Sequence, residues 1–275
     1  MPLWRALVLG VVQGIAGFLP ISSSGHLLAV PWVFRWNDFA GDPAGKQTFD
    51  VALHLGTLGA VTWYFRQDLR RLARAAWTSL RARRVSTFDE ALVWRLALAT
   101  VPAVIVGGLF DDWISEHLGG PVSIGLFLLA GSGLLWIADR NTSGTALPDS
   151  TTADTVTMGV AQAIALAPGV SRSGVTMAAG RLRGLDRASA ARLSFLLAIP
   201  VTAGAGALKT AEALSAGIPG ELLGAFAVGI VASAGTGVAA IAFLMKRISG
   251  RGFRPYIVYR MGAGLTLLAL AIVRR

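Results

Sequence analysis

The sequence predicts an all-α integral membrane protein with about six transmembrane helices and two re-entrant helical hairpins in an inverted repeat. Three observations predict it. Hydrophobic residues make up 54% of the 275 and charged residues 15%, where a soluble globular domain carries about one quarter charged. Apolar stretches approaching the roughly 20 residues that cross a bilayer alternate with arginine clusters. Two more apolar stretches are broken by Pro, Gly and Ser, and the breaks match each other. Residues 1–275 thus read as a single polytopic membrane domain with repeat halves near 1–140 and 150–275.

The first element, residues 3–33, is interrupted by Pro20 and Ser22-Ser23-Ser24-Gly25. A straight lipid-facing helix would leave backbone groups unpaired there. A pair of half-helices is expected instead, with the bend buried in protein or lining a cavity. Spans follow at 50–65, 91–110 and 122–138. Arg66, Arg70, Arg71, Arg74, Arg81, Arg83, Arg84 and Arg95 surround one loop, whereas the loop 111–121 has three acids and no Lys or Arg. Residues 156–180 are the second interrupted stretch, broken by Pro168-Gly169 and Ser171-Arg172-Ser173-Gly174, with Arg181, Arg183 and Arg187 after it. Spans at 188–208, 222–245 and 256–273 complete the chain, and Lys246, Arg247, Arg251 and Arg254 separate the last two.

The two interruptions align without a gap. Gly10-Val11-Val12-Gln13-Gly14-Ile15-Ala16 falls on Gly159-Val160-Ala161-Gln162-Ala163-Ile164-Ala165, and Ser22–Gly25 on Ser171–Gly174. Placing the Arg-rich loops in the cytoplasm brings the first hairpin in from outside and the second from inside, each followed by three spans. That is the inverted repeat of transporter-like folds. Merely kinked helices would also carry Gly and Pro; matched hydroxyls and an unpaired arginine are what a functional pair adds.

Composition excludes other classes. With no cysteine there are no disulfides or thiolate metal sites. The net charge of +10 sits between apolar stretches, as in loops facing an anionic leaflet, so nucleic acid is not an expected partner. The first apolar stretch lacks a charged start and a small-residue cleavage site, so no cleavable signal is expected. Most of the eight tryptophans fall near predicted span ends, as interfacial anchors do.

In the second hairpin, Arg172 lies in an apolar stretch, where an ionisable residue is costly and marks a site. Its planar fork suits phosphate or carboxylate. Gly169 and Gly174 allow close backbone approach, a half-helix starting here would aim amides at an anion, and Ser171, Ser173 and Thr176 add hydroxyls. The first hairpin offers Gln13, Ser22, Ser23, Ser24 and His26. There a serine with His26 makes a nucleophile and its base, or the hydroxyls bind an oxyanion with His26 as acid or neutral donor. Asp50 stands one helical turn before His54; as a span-end residue it either caps or faces the site. Arg260 enters the last span, to support the site or to snorkel.

These residues resemble a family. Gln13-Gly14-Ile15-Ala16-Gly17-Phe18-Leu19-Pro20-Ile21-Ser22-Ser23-Ser24-Gly25-His26-Leu27 is similar to the first signature of the undecaprenyl-diphosphate phosphatases, the bacitracin-resistance family, and Pro168-Gly169-Val170-Ser171-Arg172-Ser173-Gly174 to their second. The resemblance extends through Phe49–Thr57, Ser194–Pro200 and Tyr259-Arg260. It implies a multi-pass protein of the bacterial inner (plasma) membrane that removes the terminal phosphate of a C55 polyprenyl diphosphate, recycling the carrier for cell-wall polymers. The implied partners are that lipid and the bilayer, with a homodimer as a possible assembly. The implied catalytic residues are His26, Arg172 and Ser23; Gln13, Ser22, Ser24, Gly169, Ser171, Ser173, Gly174 and Thr176 are implied to bind substrate. The resemblance also implies a divalent cation, Mg²⁺ or Ca²⁺, held by a Glu/Gln-x-x-x-Glu motif. Here the second Glu position is Gly17 and the first is Gln13, so the first hairpin has no carboxylate and Asp50 is the one candidate substitute. A relative that binds or moves polyprenyl phosphate without hydrolysing it is the alternative expectation.

Overall fold

The computed structural model describes residues 1–217 and 220–274. Its helices are α1 (Leu3–Phe18), α2 (Ser23–Phe34), α3 (Pro43–Tyr64), α4 (Arg66–Ala82), α5 (Phe88–Leu118), α6 (Pro121–Asp139), α7 (Thr152–Ile164), α8 (Arg172–Leu182), α9 (Arg187–Ala216), α10 (Gly220–Arg251) and α11 (Arg254–Val273). No strand occurs among the described residues, and the protein is an all-α integral membrane protein. Five helices, α5, α6, α9, α10 and α11, are long and apolar enough to cross a membrane. The predicted span at 50–65 lies in α3, whose 22 residues reach about 33 Å but carry Lys46, Asp50 and His54.

Two expectations change. The Arg-rich loop after α3 is itself largely helix: α4 alternates arginines with Leu72, Ala75 and Ser79, which are buried, and it packs against α5. The acidic segment 111–118 continues α5 instead of forming a loop. α5 starts in a capping box, with Thr87 accepting the Glu90 amide and Glu90 accepting that of Thr87.

The interrupted stretches are short helix pairs, α1–α2 and α7–α8. Arg5 and Asp38, 2.9 Å apart, join the start of α1 to the chain after α2; Arg183 and Asp154, 2.8 Å apart, join the end of α8 to the start of α7. These two pair bases lie at opposite ends of the bundle. The first adjoins the start of α3; the second adjoins the start of α5 through Arg95, which donates to the Ser150 carbonyl, and α4 connects that end to the far end of α3. α1 packs along α10, and α7 along α5. Gly10 and Gly14 meet Gly229, Ser233 and Gly237 there, small residues that let helices approach closely in lipid. The two bends therefore point toward one another in the middle of the molecule.

Candidate functional site

Both bends are built alike. Ser22 and Ser171 immediately precede α2 and α8 with φ of 77° and 74°, a region that residues with side chains seldom enter. Each hydroxyl accepts the third amide of the helix it precedes, Gly25 at 3.4 Å and Gly174 at 3.1 Å. Each serine carbonyl accepts the fourth, from His26 and Val175. The first two amides of each helix, at Ser23, Ser24, Arg172 and Ser173, have no carbonyl earlier in the helix to bond. Two partial positive charges therefore face the same region.

Two side chains tie the bends together. Ser173 donates to the Leu19 carbonyl at 3.0 Å. Arg260 of α11, fully buried, donates to the Pro20 carbonyl at 3.3 Å and to the Gly169 and Val170 carbonyls at 3.3 and 2.9 Å. Arg260 therefore supports the site and does not snorkel. Among the described residues neither Arg260 nor Arg172 makes an ion pair.

Between the bends lies a cavity of about 300 Å³. Its walls are Gly17 from α1, Ser23 and Ser24 from α2, Gln47 and His54 from α3, and Asp111 from α5. Gln162 of α7, Ser171, Arg172 and Ser173 of the second bend, and Thr202 and Lys209 of α9 complete it. Arg172 donates one guanidinium nitrogen to the Thr202 hydroxyl, which leaves most of its fork for a ligand. Chemically the cavity is an anion site: an arginine without an ion pair, the Ser23 and Ser24 hydroxyls and two helix N-termini, with Lys209 also on its wall.

The structure thus brings Ser23, Ser24, Ser171, Arg172 and Ser173 onto one cavity and separates the other predicted residues from it. Ser22 is buried as the cap of α2. Gln13 is buried and donates to the Thr57 hydroxyl at 3.3 Å. Thr176 turns inward, bonded to the Arg172 carbonyl and the Ser194 hydroxyl. Gly169 and Gly174 serve protein packing, not ligand approach. A Cβ at Gly169, whose φ is +100°, would lie 2.7 Å from the Ile124 carbonyl, and one at Gly174 would lie 2.5 Å from an Arg260 nitrogen. His26 faces a different cleft, between α2, α6 and α11. Its Nδ1 lies 2.6 Å from the Ser22 carbonyl and its Nε2 2.8 Å from the Tyr259 hydroxyl. Asp50 points to a third cleft, 2.7 Å from Lys46.

Sequence reasoning missed His54, Gln162, Thr202 and Lys209. Gln162 had a signal, since it is the repeat counterpart of Gln13. Its amide is buried with neither atom bonded to another protein group, and the residue lines the cavity.

The donor set does not fit a divalent cation. Hard cations want several anionic oxygens; Asp111 is the carboxylate on this cavity, and it lies 3.8 Å from Lys209. No cluster of three or more His, Asp or Glu able to hold a metal exists among the described residues.

Comparison with known proteins gives the same site a lineage. The family described as bacitracin resistance protein BacA matches residues 6–266. The undecaprenyl-diphosphatase of Desulforudis audaxviator (strain MP104C) is 42% identical over 272 residues, 98% of this chain and 98% of that protein. That of Pelotomaculum thermopropionicum is 41% identical over 100% of this chain and 99% of its own, and that of Thermomicrobium roseum 41% over the full length of both. An all-helical membrane bundle with paired Ser-Gly bends, matched from end to end at this level, belongs to the bacitracin resistance protein BacA family.

Proposed function

We propose that this chain is a polyprenyl diphosphate phosphatase of a bacterial plasma membrane, acting on undecaprenyl diphosphate and releasing inorganic phosphate. The observation that carries this reading is the unpaired Arg172 with Ser23, Ser24, Ser171 and Ser173 on one cavity between two helix N-termini. Phosphoryl transfer asks of a protein chiefly positioning and charge, and these groups supply both. Arg172 and the four amides hold the terminal phosphate and stabilise the charge that builds on its oxygens. The serine hydroxyls and the Gln162 amide orient it.

We infer further that the two halves form an inverted repeat. The matched serine geometry and the opposed ion-paired bases support it. On that reading the cavity mouth, at Gln47, Asp111 and Lys209, lies at the end of the bundle remote from arginine-rich α4. By the distribution of positive charge, the mouth opens away from the cytoplasm.

The test is phosphate release from a C55 diphosphate by the purified full-length chain. The parent is expected to turn over. Arg172→Ala is expected to lose about 10²–10³-fold in kcat, as removal of a charge-stabilising donor does. A parent that binds the lipid diphosphate and releases nothing would overturn the phosphatase reading in favour of binding or transport.

A further inference from the structure

We propose that His54 is the general base of this cavity, activating the water that attacks the terminal phosphorus; the proposal rests on the phosphatase reading. Hydrolysis needs a group to take a proton from the attacking oxygen. The motif position where the family resemblance implies a carboxylate is Gly17, and Gln13 one turn earlier is an amide bonded to Thr57. Neither accepts a proton at neutral pH. Serine hydroxyls and the Gln47 and Gln162 amides do not either, and Arg172 and Lys209 are cations.

The one carboxylate on the cavity among the described residues, Asp111, lies against Lys209 at 3.8 Å, which leaves His54 as the neutral base that meets the requirement by geometry. It lines the cavity from α3, facing the region of Ser23, Ser24 and Arg172. Its Nδ1 lies 2.7 Å from the Asp50 carbonyl. A carbonyl can only accept, so the neutral ring carries its hydrogen on Nδ1 and bears a lone pair on Nε2. Among the described residues no protein group bonds that Nε2. Thr57 donates to the His54 backbone carbonyl at 2.9 Å and receives the Gln13 amide at 3.3 Å, joining this turn of α3 to α1. His26 lacks these features: it faces another cleft, with Tyr259 on its Nε2.

The step balances as follows. The water oxygen forms a bond to the terminal phosphorus while the bridging P–O bond breaks. The lipid monophosphate leaves with that electron pair. One water proton passes to Nε2 of His54, and the other stays on the released phosphate. The charged groups facing His54 across the cavity are Arg172 from α8, Lys209 from α9 and Asp111 from α5; α1, α2 and α7 contribute none. On α3 itself, Asp50 and Lys46 pair with each other at the cleft on the other face.

The experiment is kcat and KM against pH for the full-length parent, His54→Gln and His54→Ala, with a C55 diphosphate in detergent micelles. His54→Gln is expected to lower kcat by about 10²-fold or more with little change in KM. It should also remove the acid-side fall in kcat that protonation of a base produces. The substrate's own phosphate ionisation is common to both proteins, so the difference between the profiles is the readout. Added imidazole should raise the rate of His54→Ala and not that of the parent, a response a merely structural histidine would not give. A His54→Gln protein within severalfold of the parent, or with its pH profile unchanged, overturns the proposal. So does a folded His54→Ala protein that imidazole does not rescue. If Arg172→Ala is inert while His54→Gln turns over normally, the base assignment fails and the phosphatase reading stands. A parent inert at every pH sinks both.

Discussion

A side chain added at position 17 would meet only ordinary contacts, with the Gln13 amide nitrogen and the Thr57 methyl each 3.5 Å from its Cβ. The site is thus open to a carboxylate that this chain does not carry. Gly17→Glu is expected to fold and to give the cavity a carboxylate that holds a cation together with the phosphate oxygens of the bound substrate. Phosphate release by that variant should rise with Mg²⁺ or Ca²⁺, while the parent rate changes little between chelator and cation. A parent abolished by chelator would refute the metal-independent reading of its donor set. At this scale the sequence was legible where chemistry is expensive. A lone arginine in apolar surroundings announces itself, and Arg172 lies on the cavity. The histidines were not legible. His26 and His54 each place Nδ1 against the carbonyl four residues earlier, so local pattern treats them alike. Which faces the cavity depends on how α2 and α3 are rotated, and long-range packing sets that.

Among the elements, α11 does the least expected work. Its Arg260 holds three carbonyls from two separate bends, and nothing in residues 256–273 as a span foretells those partners. Arg260→Met should keep the volume but leave buried acceptors unpaired, at a cost of about 1–3 kcal/mol for each. The expected result is a lower unfolding temperature in detergent together with loss of phosphate release. A variant as stable as the parent would show that water replaces the guanidinium. The bends themselves were legible, because Ser-x-Ser-Gly after a proline cannot continue a lipid-facing helix. α4 was less so. Its charge suggested a loop, although its apolar residues recur at helical spacing and are buried against the bundle.

For the whole molecule, the composition and the arginine clusters were enough to read an all-helical bundle. The cavity was not readable, since residues of seven helices, α1, α2, α3, α5, α7, α8 and α9, line it. The chain has no cysteine, so single cysteines report sidedness on a clean background. Ser86→Cys and Thr142→Cys, both exposed, should react with a membrane-impermeant maleimide only after the membrane is opened. Asn37→Cys and Glu116→Cys, also exposed, should react in intact cells. Equal labelling of all four would contradict the opposed orientation of the hairpins. The shared clamp also bears on biogenesis. The Pro20 carbonyl waits for a guanidinium 240 residues downstream, so during synthesis the first hairpin sits unfinished until the last helix arrives. Chains truncated before α11 should be recognised as incomplete and degraded. The order of translation thus makes the final helix a checkpoint for the first.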